Sequence, residues 1–308
     1  MAIDRVSALQ LLRFDDTFAG SVRVNESMAR HTTYRIGGPA RFFIEVESIS
    51  ALSQILGICH KSSLPWIVLG KGSNLLVSDE GFSGAVIVLA GDFKHYLYDE
   101  EKQSFTVGCA ASLSHIVQEA FKRSLAGFEF AVGTPGTLGG ALRMNAGSST
   151  EYLGDHVVSV TTFSLAEGLK CTLGSNVVWE YRHSSIPADE VIVECELRAL
   201  PGNADFIRGK MEGLLARRKK SQPLRYPSCG SVFKNPEGKS AGALIEAVGL
   251  KGQIHGGAQI SEVHANFIVN IDNASAVDVR ALIDLAARKV KEAYGIELTP
   301  EVRFLGFA

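Results

Sequence analysis

Four segments of the chain concentrate glycine and have the composition of a phosphate-binding site: 34–38 (YRIGG), 70–77 (GKGSNLLV), 133–147 (GTPGTLGGALRMNAG) and 256–257 (GG). Glycine permits a positive φ and lets a ligand approach the main chain closely, and consecutive N–H groups then form concavities that suit a pyrophosphate. Simple turns explain the first and last segments equally well. They explain the third less well, because six glycines fall within the 21 residues 127–147 and loops of that length usually have a function.

The common phosphate-binding fingerprints are absent from these segments. Residues 70–73 (GKGS) lack the spacing of a P-loop, and no GxGxxG opens a helix after a first strand. The pattern therefore argues against a P-loop ATPase and against a Rossmann-type dehydrogenase, and it indicates a different site for a phosphate-bearing ligand.

The composition of the chain further limits the classes of function that are possible. The chain has 308 residues, enough for about two domains at roughly 150 residues each. Its 31 basic and 33 acidic residues give a net charge of −2, so no broad positive field recruits nucleic acid or an anionic membrane. Glycine contributes 31 of the 308 residues, about 10%, which is above its usual share of about 7%.

The five cysteines are far apart and form no CxxC pair, which argues against a disulfide framework and a structural zinc site. The N-terminal residues 1–12 contain Asp4 and no long apolar run, so they do not resemble a signal peptide. No apolar run reaches the length of a membrane helix. The sequence therefore predicts a cytoplasmic protein with reduced thiols, no metal ligand set, no membrane segment and no nucleic-acid partner.

Strand and helix patterns alternate along the chain, which predicts an α+β protein with mixed sheets. Near the C-terminus, Ser275 and Asp278 form a capping box, and Gly295 ends the helix that they begin. The composition shifts at Pro201-Gly202, which predicts the main domain boundary. The predicted strands are 41–47, 66–69, 85–89, 104–107, 157–163, 191–197 and 266–271, and the predicted helices are 50–61, one after Ser112, 205–220, 240–248 and one after Ser275.

Segments 70–77 and 133–147 resemble the two flavin-cradling loops of the FAD-binding fold shared with the vanillyl-alcohol oxidase family. Further motifs occur in the order expected for the UDP-N-acetylenolpyruvoylglucosamine reductase family, and together they run from about residue 21 to residue 306. They are HTTYRIGGPA (31–40), YRHSSIP (181–187), QPLRYPSCGSVFKNP (222–236), GGAQISEVHANFIVN (256–270) and LTPEVRFLG (298–306). Each motif alone is moderately specific, whereas their order is highly specific. The short span after Arg182, without a tyrosine-bearing insertion, resembles the type II branch.

This resemblance implies a two-subdomain FAD-binding fold of the vanillyl-alcohol oxidase type and a C-terminal α+β substrate domain. The implied limits are 1–83 and 84–200 for the FAD-binding subdomains and 201–308 for the substrate domain, whose last segment returns to the active site. The resemblance further implies non-covalent FAD, so we expect His31 to be a turn residue and not a site of covalent flavin attachment.

The implied reaction reduces the enolpyruvyl group of UDP-N-acetylglucosamine enolpyruvate to give UDP-N-acetylmuramate, a step of peptidoglycan precursor synthesis. NADPH would reduce FAD and leave, and flavin N5 would then give hydride to C3 while C2 takes a proton. The implied partners are this sugar nucleotide and NADPH, with no obligate protein partner. An oxygen-using flavin oxidase of the same fold and a non-catalytic nucleotide-binding module remain the alternatives.

Three residues match the catalytic positions of the family. Ser231 matches the proton donor, although Cys229 is a rival because a thiol ordinarily has a pKa of about 8.5. Arg182 matches the arginine that polarises the substrate carboxylate, and its other interpretation is a solvated residue in a strand. Glu301 matches the third catalytic residue, and its other interpretation is a last-strand residue paired with Arg303.

The resemblance also assigns binding residues. For FAD these are Tyr34, Arg35, Gly70, Lys71, Gly72, Ser73, Asn74, Leu75, Thr134, Pro135, Gly136, Thr137, Gly139, Gly140, Asn145, Ala146 and Gly147, with Arg225 near the diphosphate. For the sugar nucleotide, the candidates are Tyr181, Lys234, Asn235, Lys251, Gln259, His264 and Asn266.

Overall fold

The structure is a computed structural model that describes residues 17–148 and 150–307. The prediction for residues 1–12 lies outside this part. The helices are α1 (Ile49–Lys61), α2 (Leu113–Lys122), α3 (Leu138–Arg143), α4 (Ala204–Ser221), α5 (Ala241–Ala247) and α6 (Ala276–Tyr294). The strands are β1 (Gly20–Ser27), β2 (Pro39–Val46), β3 (Trp66–Val68), β4 (Leu75–Val77), β5 (Phe82–Leu89), β6 (Tyr96–Asp99), β7 (Ser104–Gly108), β8 (Leu125–Ala126), β9 (Val157–Ser164), β10 (Gly168–Leu173), β11 (Trp179–Glu180), β12 (His183–Ser184), β13 (Val191–Arg198), β14 (Leu200–Pro201), β15 (Ile254–His255), β16 (Ala258–Ile260), β17 (Ile268–Asn270) and β18 (Arg303–Leu305).

Mixed sheets organise these strands, as the sequence predicts. An antiparallel sheet has the order β10-β9-β13-β7-β6, and another has the order β1-β2-β5-β3 with β3 parallel to β5. Strands β15, β16 and β17 form an antiparallel sheet, while β18 pairs with β4 in parallel. Two-stranded pairs join β11 to β12 and β14 to β8.

The predicted helices and strands are all present, with ends shifted by up to three residues. In α6, Ser275 accepts a hydrogen bond from the Asp278 backbone while Asp278 accepts one from the Ser275 backbone, and Gly295 ends the helix at φ 67. The capping box and the helix end are therefore confirmed. The buried stripe of α6 is also the predicted one: Val279, Leu282, Ile283, Ala286 and Val290.

The glycine-rich stretch 127–147 differs from its prediction as a loop, because it contains helix α3. Thr137 precedes the helix, and its hydroxyl oxygen accepts a hydrogen bond from the Gly140 backbone. The helix buries Leu138 and Leu142 on one face. Gly139 and Gly140 conceal this pattern in the sequence, since glycine disfavours helix by about 1 kcal/mol relative to alanine.

The chain forms two compact units whose limits differ from the predicted domains. The first unit comprises the described residues of Met1–Val24 together with Phe42–Gly70 and Gly84–Ala216. The second comprises Asn25–Arg41, Lys71–Ser83 and Arg217–Ala308. The boundary near residue 201 thus shifts into α4, and two N-terminal segments join the C-terminal residues.

Long-range hydrogen bonds explain why those N-terminal segments belong to the second unit. The Asp79 carboxylate accepts bonds from the backbone N–H groups of Ala276 and Val277, at 2.8 and 3.1 Å. The Asn270 amide donates to the Tyr34 carbonyl at 3.1 Å. Such contacts join residues about 200 positions apart, so no local sequence pattern reveals them.

Among the described residues, the first unit has two apolar cores and the second has one. In the first unit, one core packs α1 against residues of β2 and β5, and the other packs α2 and α3 against β7 and β13. The core of the second unit packs α5 and α6 with Tyr34, Cys229 and Phe233.

Candidate functional site

Ser231 lies in an irregular segment between α4 and α5, and the backbone is fixed immediately after it. Gly230 has φ 83, a conformation that favours glycine, and Val232 and Phe233 are buried. The Val232 N–H donates to the Asn266 carbonyl at 2.8 Å. The Asn266 side chain accepts from the Phe233 N–H at 3.0 Å and donates to the Phe233 carbonyl at 2.8 Å. These bonds restrict the chain that presents the half-buried Ser231.

Glu301 returns to this segment, as the sequence predicts for the C-terminal residues. The Glu301 N–H donates to the Val232 carbonyl at 2.7 Å, next to Ser231. The Lys234 N–H donates to the Thr299 carbonyl at 2.9 Å. Strand β18 begins at Arg303, so Glu301 precedes the last strand and does not belong to it. The structure thus brings two of the three predicted catalytic residues together within the second unit.

Part of the 70–77 segment reaches the same place. The Asn74 side chain donates to the Glu301 carbonyl at 3.0 Å, and the Asn74 carbonyl accepts from the Arg303 N–H at 3.0 Å. The Thr33 hydroxyl donates to the Ser228 carbonyl at 2.7 Å, while the Thr33 N–H donates to the Gly72 carbonyl at 3.2 Å. Thr33 therefore ties the glycine segment to the chain preceding Ser231, a role that the sequence analysis missed.

Cys229 and Tyr34 are buried behind this segment. The Tyr34 side chain is 0% exposed, and its hydroxyl has no hydrogen-bond partner within the described residues. Burial raises the pKa of the Cys229 thiol to about 12, and the negative charge of Glu301 adds to that rise. Burial likewise raises the pKa of Tyr34 well above its usual value. Because Cys229 is only 3% exposed, its thiol is less accessible to a substrate than the half-buried Ser231.

This burial predicts which thiol reacts in the native protein. Cys171 is exposed, whereas Cys59, Cys109, Cys195 and Cys229 are buried. Since the attacking species is the thiolate and burial raises the thiol pKa, a disulfide reagent at pH 8 should label only Cys171. Titration before and after denaturation should give one and then five thiols. Rapid native labelling of Cys229 would contradict its burial.

Arg182 lies in the turn between β11 and β12, in the first unit. It has φ 57, which is disfavoured for a residue other than glycine, and its guanidinium lies 4.9 Å from the ring centroid of Tyr181. The sequence alternative of a solvated strand residue is wrong, because Arg182 belongs to a strained turn and its Nη1 atom is buried. Strained residues of this kind cluster at functional sites.

Backbone groups of the glycine segments form hydrogen bonds within the protein. In 70–77, the carbonyls of Gly72 and Asn74 accept protein hydrogen bonds. In 133–147, the carbonyl of Gly136 accepts from Leu113 N–H and that of Thr134 accepts from the Ser114 hydroxyl. Gly72 has φ 59, and a Cβ there would collide with the His31 carbonyl. These bonds, together with those that the Leu138 and Gly139 N–H groups donate to the Ala111 and Cys109 carbonyls, fix the path of the glycine segments.

The predicted binding residues are divided between the units. In the first unit lie Gly70, Thr134, Pro135, Gly136, Thr137, Gly139, Gly140, Asn145, Ala146, Gly147 and Tyr181. In the second unit lie Tyr34, Arg35, Lys71, Gly72, Ser73, Asn74, Leu75, Arg225, Lys234, Asn235, Lys251, Gln259, His264 and Asn266.

Several of these side chains are engaged inside the protein. Lys251 forms an exposed ion pair with Glu246 at 2.9 Å. His264 packs against Phe267 with ring centroids 5.0 Å apart, and burial lowers its pKa. The Asn235 side chain accepts from the Ala241 N–H at 3.0 Å. Tyr34 and Asn266 are buried in the structure described above. The side chains in this group therefore hold the surrounding structure in place more directly than they contact a ligand.

Arg225 and Gln259 line a cavity of about 490 Å³ in the second unit. Its walls also carry Lys219 and Glu262. The Gln259 side chain donates to the Gly252 carbonyl at 3.2 Å, which orients the amide. The cavity therefore offers cationic and amide groups to a polar ligand.

His31 bonds to the Glu26 carboxylate at 2.8 Å and follows a short 3₁₀ turn, which confirms its expected place in a turn. Within residues 17–148 and 150–307, no cluster of three or more His, Cys, Asp or Glu residues is arranged to hold a metal ion. Among the same residues, no helix combines the length and apolar character needed to span a membrane.

Comparison with known proteins gives two family matches. A model described as "FAD binding domain" matches residues 40–174. A model described as "UDP-N-acetylenolpyruvoylglucosamine reductase, C-terminal domain" matches residues 222–305.

Individual relatives cover nearly the whole chain. A UDP-N-acetylenolpyruvoylglucosamine reductase of Heliobacterium modesticaldum is 42% identical over 94% of this chain and 92% of its own. One from Caldanaerobacter subterraneus subsp. tengcongensis is 40% identical over 93% of this chain and 94% of its own. The crystal structure of the Thermus caldophilus reductase superposes with a TM-score of 0.80 at 35% identity, covering 94% of this chain and 99% of that one.

Proposed function

The chain belongs to the family of UDP-N-acetylenolpyruvoylglucosamine reductases, and from this we propose that Ser231, Arg182 and Glu301 carry its reaction. The protein is an FAD-dependent oxidoreductase that uses NADPH. It reduces the enolpyruvyl group of UDP-N-acetylglucosamine enolpyruvate to give UDP-N-acetylmuramate, in peptidoglycan precursor synthesis. The alternative of an oxidase with the same fold is not favoured, since relatives covering over 90% of the chain are reductases.

FAD, when bound, supplies to C3 of the enolpyruvyl group the hydride that originates from NADPH. The protein must then stabilise the negative charge that develops at C2 and on the substrate carboxylate, and it must deliver one proton to C2. We propose that the Ser231 hydroxyl gives this proton and that solvent restores it. A serine hydroxyl is a weak acid, but a carbanion at C2 is a strong enough base to take its proton once the hydroxyl is positioned.

The observation that carries this proposal is the 2.7 Å hydrogen bond from the Glu301 N–H to the Val232 carbonyl. It supports the proposal because it joins Glu301 to the residue that follows Ser231, although Ser231 and Glu301 are 70 positions apart in the sequence. Asn266 fixes the following residue, Phe233, through both of its backbone groups. The serine hydroxyl is thereby held on a rigid segment, which general-acid catalysis requires.

We assign the charge stabilisation to Arg182 and Glu301. The Arg182 guanidinium is planar, permanently charged and matched to a carboxylate, and the ring of Tyr181 supports it. Glu301 is half-buried next to the Ser231 segment, where its carboxyl group can share a proton with the substrate carboxylate as negative charge develops. Tyr181 is exposed and remains a candidate contact for the sugar nucleotide.

The cofactor and substrate contacts follow from the same evidence. We propose that the backbone of 70–75 and of 134–140 holds FAD, without a covalent bond to His31. For the sugar nucleotide, we favour Lys234, which follows Ser231 closely, and the cavity that contains Arg225 and Gln259. The diphosphate of the sugar nucleotide requires cationic partners, and Lys234 and Arg225 provide them.

We propose that 1–83 and 84–200 contribute the two FAD-binding subdomains and that 201–308 provides the substrate domain. We also propose a cytoplasmic location and a reaction that requires no protein partner. The type II assignment rests on the sequence alone.

A spectroscopic titration tests the proposed function. The purified protein should be yellow and release its flavin on denaturation, because no covalent bond holds it. Without oxygen, NADPH should bleach the flavin. One equivalent of the enolpyruvyl sugar nucleotide per reduced flavin should then restore the colour. Rapid recovery in air, with no response to the sugar nucleotide, would instead support an oxidase.

A further inference from the structure

Arg143 binds the chain that leads out of one arm, β12, of the hairpin that carries Arg182. Its guanidinium donates to the carbonyls of Ile186 at 2.6 Å, Pro187 at 2.8 Å and Glu190 at 2.7 Å. Ile186 lies two residues beyond β12, and Glu190 immediately precedes β13. The fork of an arginine can hold several carbonyls at once in a fixed geometry, so this arm is tied to the end of helix α3.

Asn145 binds the other arm of the hairpin, strand β11. Its side-chain amide donates to the Glu180 carbonyl in β11 at 3.0 Å and accepts from the Gly154 N–H at 2.9 Å. The residue is only 2% exposed, so these bonds are made inside the protein. The Ser184 hydroxyl adds a bond to the Arg143 carbonyl at 3.3 Å. Both strands of the hairpin are thus attached to 143–145, within the proposed flavin segment.

The two attachments enclose a strained turn. Arg182 has φ 57 and Asn145 has φ 40, and both lie in the left-handed region that most side chains avoid. An isolated hairpin with arginine at this position would relax toward other turn geometries. The bonds from Arg143 and Asn145 are the contacts that oppose this relaxation, because they hold both sides of the turn.

We propose that Arg143 and Asn145 are positioning residues for substrate reduction, which clamp the hairpin so that Arg182 is presented in one fixed place. This rests on the proposed function of Arg182. Under this proposal the Asn145 side chain holds the hairpin through its bonds to Glu180 and Gly154. Because the clamp starts from the 133–147 segment, the flavin site and the carboxylate-binding arginine are built as one rigid element.

The test uses the flavin-loaded protein with Arg143→Lys and Asn145→Asp. Lysine keeps the charge but loses the fork, while aspartate keeps the size, the acceptor oxygen and the tolerance of a left-handed backbone. Ser104→Ala is the matched control, because it removes a 2.7 Å hydrogen bond to Glu196 elsewhere in the first unit. Arg182→Met reports separately on the proposed function.

Two readouts are needed. Amide hydrogen exchange of residues 178–190 should speed up in both clamp variants and stay unchanged in Ser104→Ala. Per bound flavin, reduction by NADPH should slow less than reduction of the sugar nucleotide, which should slow by about 10- to 100-fold, the effect of a misplaced catalytic group. Arg182→Met should slow the same step without altering exchange of the β11 and β12 arms.

The outcomes separate the clamp from the proposed function. If Arg182→Met slows substrate reduction but the clamp variants change neither the exchange nor the rate, the clamp is wrong and the role of Arg182 stands. If NADPH reduction slows as much as substrate reduction in the clamp variants, these residues act on the flavin and the clamp is again wrong. If Arg182→Met has no effect on substrate reduction, both proposals fail.

Discussion

Replacing Ser231 by alanine is expected to slow reduction of the enolpyruvyl substrate by about 10²- to 10⁴-fold, the range that general-acid catalysis contributes. NADPH should still bleach the flavin at the wild-type rate, because that step needs no proton from Ser231. The backbone should not change, since the bonds that fix Val232 and Phe233 do not involve the serine side chain. Anaerobic stopped-flow absorbance separates the two steps.

Cys229→Ala is the matched control for Ser231→Ala. Cys229 is buried, so its thiol is not accessible for delivering a proton to a substrate. We expect its replacement to lower stability through the loss of buried volume and to leave the substrate step close to the wild-type rate. If both steps slow together in Ser231→Ala, the serine is not the proton donor.

Replacing Arg182 by methionine is expected to slow the same step by about 10²- to 10³-fold, the usual cost of removing one preorganised donor to a developing charge. Methionine has a similar length but removes the charge that faces the substrate carboxylate. The flavin should still be reduced by NADPH. The measurement is single-turnover reoxidation of the prereduced enzyme by the sugar nucleotide.

Arg182→Lys refines this prediction. Lysine keeps a positive charge but cannot hold a carboxylate with two parallel hydrogen bonds, so we expect partial activity between wild type and Arg182→Met. The residue occupies a left-handed turn in either variant, so the backbone strain is unchanged. Wild-type turnover in Arg182→Met would remove this residue from the mechanism.

Local sequence patterns predicted the regular elements well and the assembly of the units poorly. The stripe and caps of α6 are periodic and contiguous, and so they are visible in the sequence. Helix α3 was missed because two glycines interrupt it, and strands such as β15 and β18 are two or three residues long and carry no period. The pairing of β18 with β4 joins residues 303–305 to 75–77, which no local pattern encodes.

The candidate site shows the same difference between what local sequence patterns predict and what depends on long-range contacts. The resemblance placed Ser231 and Glu301 in one active site, and the structure brings their segments together. It could not show that the Asn266 and Asn145 side chains are engaged with the backbone, because a polar residue has the same letter whether it contacts a ligand or holds a loop. Thr33 and Arg143 were overlooked for a related reason, since their partners are carbonyl groups and have no side-chain signature.

The most direct test of the account follows one turnover in prereduced enzyme, without oxygen, in wild type, Ser231→Ala and Cys229→Ala. After addition of UDP-N-acetylglucosamine enolpyruvate, we predict rapid return of flavin absorbance and stoichiometric UDP-N-acetylmuramate in wild type and Cys229→Ala. In Ser231→Ala the flavin should stay reduced over the same period. Fast reoxidation with product in Ser231→Ala, or its loss in a folded Cys229→Ala, would contradict the assignment of Ser231 as the proton donor.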